Sequence, residues 1–179
     1  MVQKTKAKSG IKKGFFNVEA PLTAAKISLY GGSAEEIEGR VVTLDLTKSL
    51  RGKSIELRMK VKHEEGKLRA EPISANLAES YVRRSMRRGA DYVEDSFKTE
   101  CSDALVVIKP IMITRKNVSR AVRNALRITA QKYLKAYLKS RSSRELFSEI
   151  ISNKLQRALS AKLKKIYPLA MCEIRVFET

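Results

Sequence analysis

The sequence has no tryptophan, one histidine, two cysteines and, from Arg115 to Arg144, no aspartate or glutamate. Each shortage excludes something. Cys101 and Cys172 share no metal-like spacing with each other or with His63, so two reduced thiols in a cytoplasmic protein are expected rather than a metal site. The longest uninterrupted apolar stretch is Ala104 to Ile108, whereas a spanning helix needs about 20 such residues, so no membrane span is expected. The N-terminus is lysine-rich but lacks the apolar stretch of a secretory signal. Aromatics are sparse and no RNP-like, KH-like or zinc-knuckle signature occurs, so base stacking on single strands is not expected; backbone and shape recognition of folded RNA fits better.

Catalytic patterns are missing as well. His63 reads as a surface residue in a polar turn, no serine stands in a GxSxG elbow, and Gly31-Gly32 has no Walker or dinucleotide pattern around it. Asp91, Glu94 and Asp95 form a loose acidic cluster. A metal-dependent nuclease would gather such carboxylates around a cation, but nothing else in the sequence converges on them. No enzyme, cofactor, metal or small-molecule substrate is expected.

What the chain does have is length and positive charge. Its 179 residues suffice for a domain burying roughly 70% of the unfolded chain's surface. With 37 basic and 19 acidic residues the net charge is +18 and the pI about 10.1. In a soluble protein such a balance points first to nucleic acid and second to an anionic membrane surface. The excess is uneven: 16 basic and 4 acidic residues follow from Arg115 onward, leaving 21 and 15 before it. Lys4, Lys6, Lys8, Lys12 and Lys13 precede any acidic residue among small and polar neighbours, so residues 1–13 read as a flexible basic arm. Residues 14–179 read as a single α+β domain.

Strand signals dominate the first half. Ile55, Leu57, Met59 and Val61 alternate with polar residues, the period of two of a half-buried strand. Val42, Leu44 and Leu46 alternate before them, and a turn at Glu64 to Lys67 leads into another candidate at Leu68 to Ile73, giving neighbouring antiparallel strands. "ALVVIKPIMI" at 104–113 predicts a strand buried on both faces, with a bulge or an edge at Pro110, which cannot donate to a ladder. Cys172, Ile174 and Val176 predict a last strand that returns to the sheet.

Three helices are expected. The first opens on Asn76 with Glu79 as capping-box partner and carries Arg83, Arg84, Arg87 and Arg88 up to Gly89. One or two arginines would suffice to complement the helix dipole, so four, with Arg87 and Arg88 stacked at i+4 over Arg83 and Arg84, are expected to contact phosphate. The second spans the stretch from Arg115, with Val118, Val122, Ala125, Leu126, Thr129, Tyr133 and Tyr137 on a core face. Arg115, Lys116, Arg120, Arg123, Arg127 and Lys135 supply its cationic side. Ten basic residues without an acidic one between Arg115 and Arg144 repel one another by a few tenths of a kcal/mol per close pair. Phosphates would balance them and release counterions on contact. The third helix runs from Ser142, with Glu145 as box partner, through Leu146, Phe147, Ile150, Ile151, Leu155, Leu159, Leu163 and Ile166 to Pro168 as plain core.

Several local patterns resemble one family. "KKGFFNVEAP" at 12–21, "GRVVTLDLTKSL" at 39–50, "YVRRSMRR" at 81–88, and "KKIYPL" followed by "CEIRV" at 164–176 are similar, in order and separation, to the archaeal and eukaryotic small-subunit ribosomal protein family S-three-A-e, eS-one in unified naming. The resemblance implies a curved, mostly antiparallel, barrel-like sheet flanked by helices, and a non-catalytic role on the platform of the small subunit near the messenger RNA exit. It also implies contact with the 3′ region of the small-subunit ribosomal RNA and with neighbouring ribosomal proteins. Two departures stand out: Phe15-Phe16 follow Gly14 where the family often has a tryptophan, and the chain stops after the last strand without the long tail of eukaryotic members, as an archaeal-type member would. The alternatives are a free-standing RNA chaperone or translation factor, and a phosphodiester-cleaving enzyme using Asp91 or Asp95.

Overall fold

The computed structural model describes residues 13–179 except 24, 51 and 65. Lys4, Lys6, Lys8 and Lys12 therefore lie outside the described residues. The chain divides into two compact units, one made of the residues up to Val42 together with Lys60–Glu71, the other of Thr43–Met59 and Pro72–Thr179.

In the first unit, β1 (Gly14–Val18) and β2 (Ile27–Gly31) form an antiparallel ribbon in which Gly14 faces Gly31 and Val18 faces Ile27. One turn of helix, α1 (Ala34–Ile37), follows with the Ser33 hydroxyl accepting from the Glu36 N–H. Ile37 is fully buried, and a Cβ on Gly31 would sit 2.8 Å from its Cγ1, so this close approach requires glycine. The ribbon's end is tied to the chain at Leu68–Ala70 by the Glu19 N–H donating to Leu68 O and the Ala70 N–H donating to Glu19 O, both 2.9 Å.

A seven-stranded sheet contains β3 (Val41–Asp45), β4 (Ile55–Glu64), β5 (Lys67–Leu77), β6 (Tyr92–Glu94), β7 (Phe97–Glu100), β8 (Leu105–Thr114) and β9 (Leu169–Glu178). Its order is β3-β4-β5-β9-β8-β6, with β7 also paired to β8, and the two long strands β4 and β5 pass through both units. The class is α+β. The sheet is not closed in the strand pairing of the described residues, which therefore does not establish the barrel-like form expected from the resemblance. Ile55, Leu57, Met59 and Val61 are all buried and their polar alternates exposed, as the period of two requires.

Pro110 sits at a register shift: Lys109 faces Val176 while Pro110 faces Ile174, leaving Arg175 as an extra residue on β9. The bulge expected at the proline is thus present. It also resets the alternation of β9, because Cys172 and Ile174 are buried as expected but Phe177, rather than Val176, then enters the core. Phe177 meets Phe147 edge-on, with centroids 4.9 Å apart.

The helices differ from expectation in three places. β5 continues to Leu77, so Asn76 lies in a strand and the first large helix, α2 (Glu79–Ser85), starts at Ala78 without a side-chain cap and ends before Arg87 and Arg88. Pairing of Ala75 with Phe177 and of Asn76 with Val176 on β9 overrides the capping-box pattern. The second, α3 (Arg120–Leu138), is capped by Ser119, which leaves Arg115 and Lys116 ahead of it. Its buried line is Leu126, Ala130, Leu134 and Leu138, while Val118, Val122, Ala125, Thr129, Tyr133 and Tyr137 flank that line half-buried. The expected third helix is two, α4 (Ser143–Ile151) with its Ser142/Glu145 capping box and α5 (Lys154–Leu163), broken where Asn153 takes a left-handed φ of 60°. The break keeps Leu146, Phe147, Ile150, Leu155, Leu159 and Leu163 buried, whereas Ile151 is half-buried and Ile166 exposed.

Candidate nucleic-acid interface

Two arginine-bearing segments, 83–88 and 115–127, are brought together in the second unit by one aspartate. Gly89 turns the chain with φ 78° after the arginines, and Asp91 follows. The Asp91 carboxylate accepts from the Val118 N–H at 2.8 Å, and its carbonyl accepts from the Thr114 N–H at 2.9 Å. Thr114 is fully buried; its Oγ1 accepts from the Asp91 N–H and donates toward the Lys116 carbonyl at 2.8 Å. The segment carrying Arg115 and Lys116 into α3 is therefore pinned beside the segment that follows α2. Asp91, a candidate metal carboxylate on sequence grounds, has its oxygen committed to this turn. Among the described residues no three His, Cys, Asp or Glu side chains are grouped to hold a metal ion.

Two open grooves result, and Ala90 lines both. The larger, about 1020 Å³, has Asp91, Tyr92 and Glu94 on one wall and Arg120, Arg123, Asn124 and Arg127 of α3 on the other. The second, about 700 Å³, is lined by Tyr81, Arg84 and Arg87, by Arg115, and by the start of β9 at Leu169 to Met171. Arg120, Arg123 and Arg127 thus share one groove wall, as their helical spacing predicts. Arg84, Arg87 and Arg115, far apart in sequence, share the other groove.

The cations of these grooves are exposed, and among the described residues Arg84, Arg87, Arg88, Arg115, Lys116, Arg120, Arg123 and Arg127 form no ion pair. Arg127 Nη2 donates to Asn124 Oδ1 at 3.3 Å, and the Arg84 guanidinium lies 5.9 Å from the Tyr81 ring centre. The groove carboxylate of Glu94 is taken up by Arg175, which also approaches Glu79 at 3.9 Å. Arg83 is exposed and pairs with Glu79 at 3.2 Å, one turn away on α2. Lys135 stands apart from both grooves, with its ammonium 5.6 Å from the centre of the Phe97 ring on β7. Lys13 is exposed at the start of β1 in the other unit. Because α2 ends at Ser85, the four arginines expected to stack at i+4 on one helix divide instead, Arg83 and Arg84 on the helix and Arg87 and Arg88 beyond it. Tyr92 and Asn124 escaped the sequence reading, since nothing in their spacing connects them to the arginines.

No helix among the described residues is long and apolar enough to cross a membrane. The model of the ribosomal S3Ae family matches residues 2–179. The chain belongs to the ribosomal S3Ae family. Among similar proteins, the small ribosomal subunit protein eS1 of Nanoarchaeum equitans is 26% identical over 93% of this chain and 88% of its own length. The protein of the same name from Halorubrum lacusprofundi is 28% identical over 98% of this chain and 85% of its own. That of Haloarcula marismortui is 26% identical over 98% and 86%. For an S3Ae member, a paired set of polar, arginine-walled grooves offers an extended anion more than it offers a compact metabolite, because the charges are spread along open walls.

Proposed function

We propose that this protein is a non-catalytic structural component of the small ribosomal subunit in the cytoplasm, where its basic grooves hold ribosomal RNA. The observation that carries this reading is the convergence of Arg84, Arg87 and Arg115 in one groove and Arg120, Arg123 and Arg127 in the next, all exposed and without ion pairs among the described residues. Family membership and the names of the similar proteins supply the particle. The finer placement, contact with the 3′ region of the small-subunit RNA near the messenger RNA exit on the platform and with neighbouring ribosomal proteins, extends the same proposal. Arg83, Arg88, Lys116, Lys135 and the lysines of the arm, Lys4, Lys6, Lys8, Lys12 and Lys13, are proposed as further RNA contacts.

Six phosphate contacts give a slope of log K on log salt of roughly −4.2 to −5.4, so RNA affinity should fall on the order of 300- to 2,000-fold between about 50 and 200 mM salt. The decisive experiment is sedimentation of small subunits from cells expressing a tagged copy. The wild-type chain should track the subunit at one copy each, and the variant carrying Arg120→Glu, Arg123→Glu and Arg127→Glu should remain soluble, folded and absent from it. A triple variant that assembles normally would remove α3 from the RNA interface. A wild-type chain found mainly off the ribosome would favour the free-standing chaperone.

A further inference from the structure

The β1–β2 ribbon carries an exposed aromatic pair that the arginine grooves do not involve. Strand alternation turns Val18 and Ile27 into the unit's core and puts Phe15, Asn17, Ser28 and Tyr30 on the opposite face. Phe15 is 77% exposed and Tyr30 54%. They are direct cross-strand partners, with ring centroids 5.2 Å apart and planes at 54°. The next pair on this face is polar: Ser28 Oγ donates to Asn17 Oδ1 at 3.0 Å, leaving the Asn17 amide N–H groups free of that bond. Lys13 and Lys26, both exposed, immediately precede the two strands and so stand at opposite ends of the ribbon.

A phenyl ring that stays mostly in water adds little to folding, because hydrophobic stabilisation scales with apolar area removed from water. What such a pair can do is receive a flat partner. We infer that the outward face of this ribbon is a stacking platform for an unpaired RNA nucleobase. Phe15, the more exposed ring, stacks on the base plane while Tyr30, tilted by 54°, meets it edge-on; Asn17 and Ser28 face its polar edge, and Lys13 and Lys26 meet phosphates on either side along the strand. Base–aromatic stacking of this kind tolerates any base, since each has a π face.

Charge favours RNA over a protein partner here. Just after the ribbon, the Glu36 carboxylate accepts from the Gly32 N–H at 2.8 Å and pairs with Arg40 at 3.0 Å, Arg40 also donates to the Tyr30 carbonyl, and Lys13 adds to the positive field on Glu36. Its negative charge is thereby offset, and Lys13 and Lys26 stand at the two ends of the small apolar patch. An apolar protein surface would instead fit a wider contiguous patch with its charges kept to the rim. The inference rests on the reading of the chain as an RNA binder. It also revises the expectation from composition that stacking has no support, because strand register concentrates two of the few aromatics at one point.

The test is fluorescence anisotropy of the full chain with a short labelled oligoriboadenylate and with an abasic strand of equal phosphate count. The wild type should prefer the adenylate strand. Phe15→Ala/Tyr30→Ala should lower adenylate affinity roughly 5- to 150-fold and leave the abasic strand unaffected. Phe15→Leu/Tyr30→Leu keeps apolar bulk without a π face and should show the same selective loss, whereas Phe15→Trp should retain the preference. The α3 triple Glu variant should weaken both probes and keep their ratio. If the wild type binds both probes equally, or the double variants keep the preference, the platform is wrong while the groove reading survives. If the wild type binds neither, the RNA reading itself is wrong. Loss of small-subunit association with unchanged adenylate binding would make the face a protein contact and overturn the inference.

Discussion

Lys53 is 7% exposed, and its ammonium donates to Glu173 on β9 and to the side-chain oxygen of Asn153, the left-handed residue between α4 and α5. Substituting Lys53→Met keeps the length of the stem and removes the charge. It leaves the Glu173 carboxylate, whose side chain is 15% exposed, without its cation and Asn153 without a donor. Breaking one side of a buried pair costs about 3 to 5 kcal/mol, and the residual solvent contact of Glu173 points to the lower end, about 3 kcal/mol. At about 2 to 4 °C per kcal/mol for a chain of this size, the melting temperature should fall by about 6 to 12 °C. Adding Glu173→Gln removes the stranded charge, so the double variant should recover at least about 1 kcal/mol relative to the sum of the single effects. Urea titration followed by far-UV circular dichroism at neutral pH, on the wild type, both single variants and the double, measures all four corners. Lys62→Met is the control: its partner Glu71 and Lys62 itself are about half exposed, so solvent screens that pair and its loss should lower stability far less than Lys53→Met does. A Lys53→Met variant as stable as the Lys62→Met control, or two substitutions whose effects simply add, would refute the assignment of Lys53 as a buried lock.

Leu126 is fully buried on α3, so Leu126→Ala should cost about 2 to 5 kcal/mol by denaturant titration, while Ile128→Ala, at a residue 41% exposed, should cost far less. Asp103 accepts from the Ser143 hydroxyl and N–H at the start of α4, and the hydroxyl bond foremost holds its carboxyl below the usual range. A depressed folded pKa gives stability that is present above the unfolded value near about 3.9 and lost as pH falls through the folded one. Asp103→Asn should therefore flatten that part of the acid limb in melts taken at successive pH values. Burial pushes the Cys172 thiol up to about 12 and the Cys101 thiol up to about 11, so both should react slowly with a thiol-disulfide reagent near neutral pH in the folded chain and rapidly once urea is added. Rapid reaction of Cys172 without denaturant would contradict its burial.

The sequence by itself determined the α+β class, the two-residue period of β4, the capping box of α4, the irregularity at Pro110 and the charge of the α3 wall, and its ordered patterns were enough to resemble the family. These are local properties: alternation, caps and like-charge runs are written within a few residues of one another. Tertiary structure decided what depended on partners distant in the chain. β5 kept Asn76 because pairing with β9 competes with helix capping, and the bulge at Arg175 exchanged Val176 for Phe177 in the core. The helix expected from Ser142 to Pro168 broke because Asn153 adopts left-handed backbone beside Lys53, a residue 100 positions away. The candidate site has the same division. Helical spacing placed Arg120, Arg123 and Arg127 on one wall, but only the turn held by Asp91 and Thr114 sets Arg84 and Arg87 beside Arg115, and only strand register joins Phe15 to Tyr30. Spacing along the chain fixes direction on a single element, whereas which elements meet depends on buried contacts and hydrogen bonds that no short window of sequence contains.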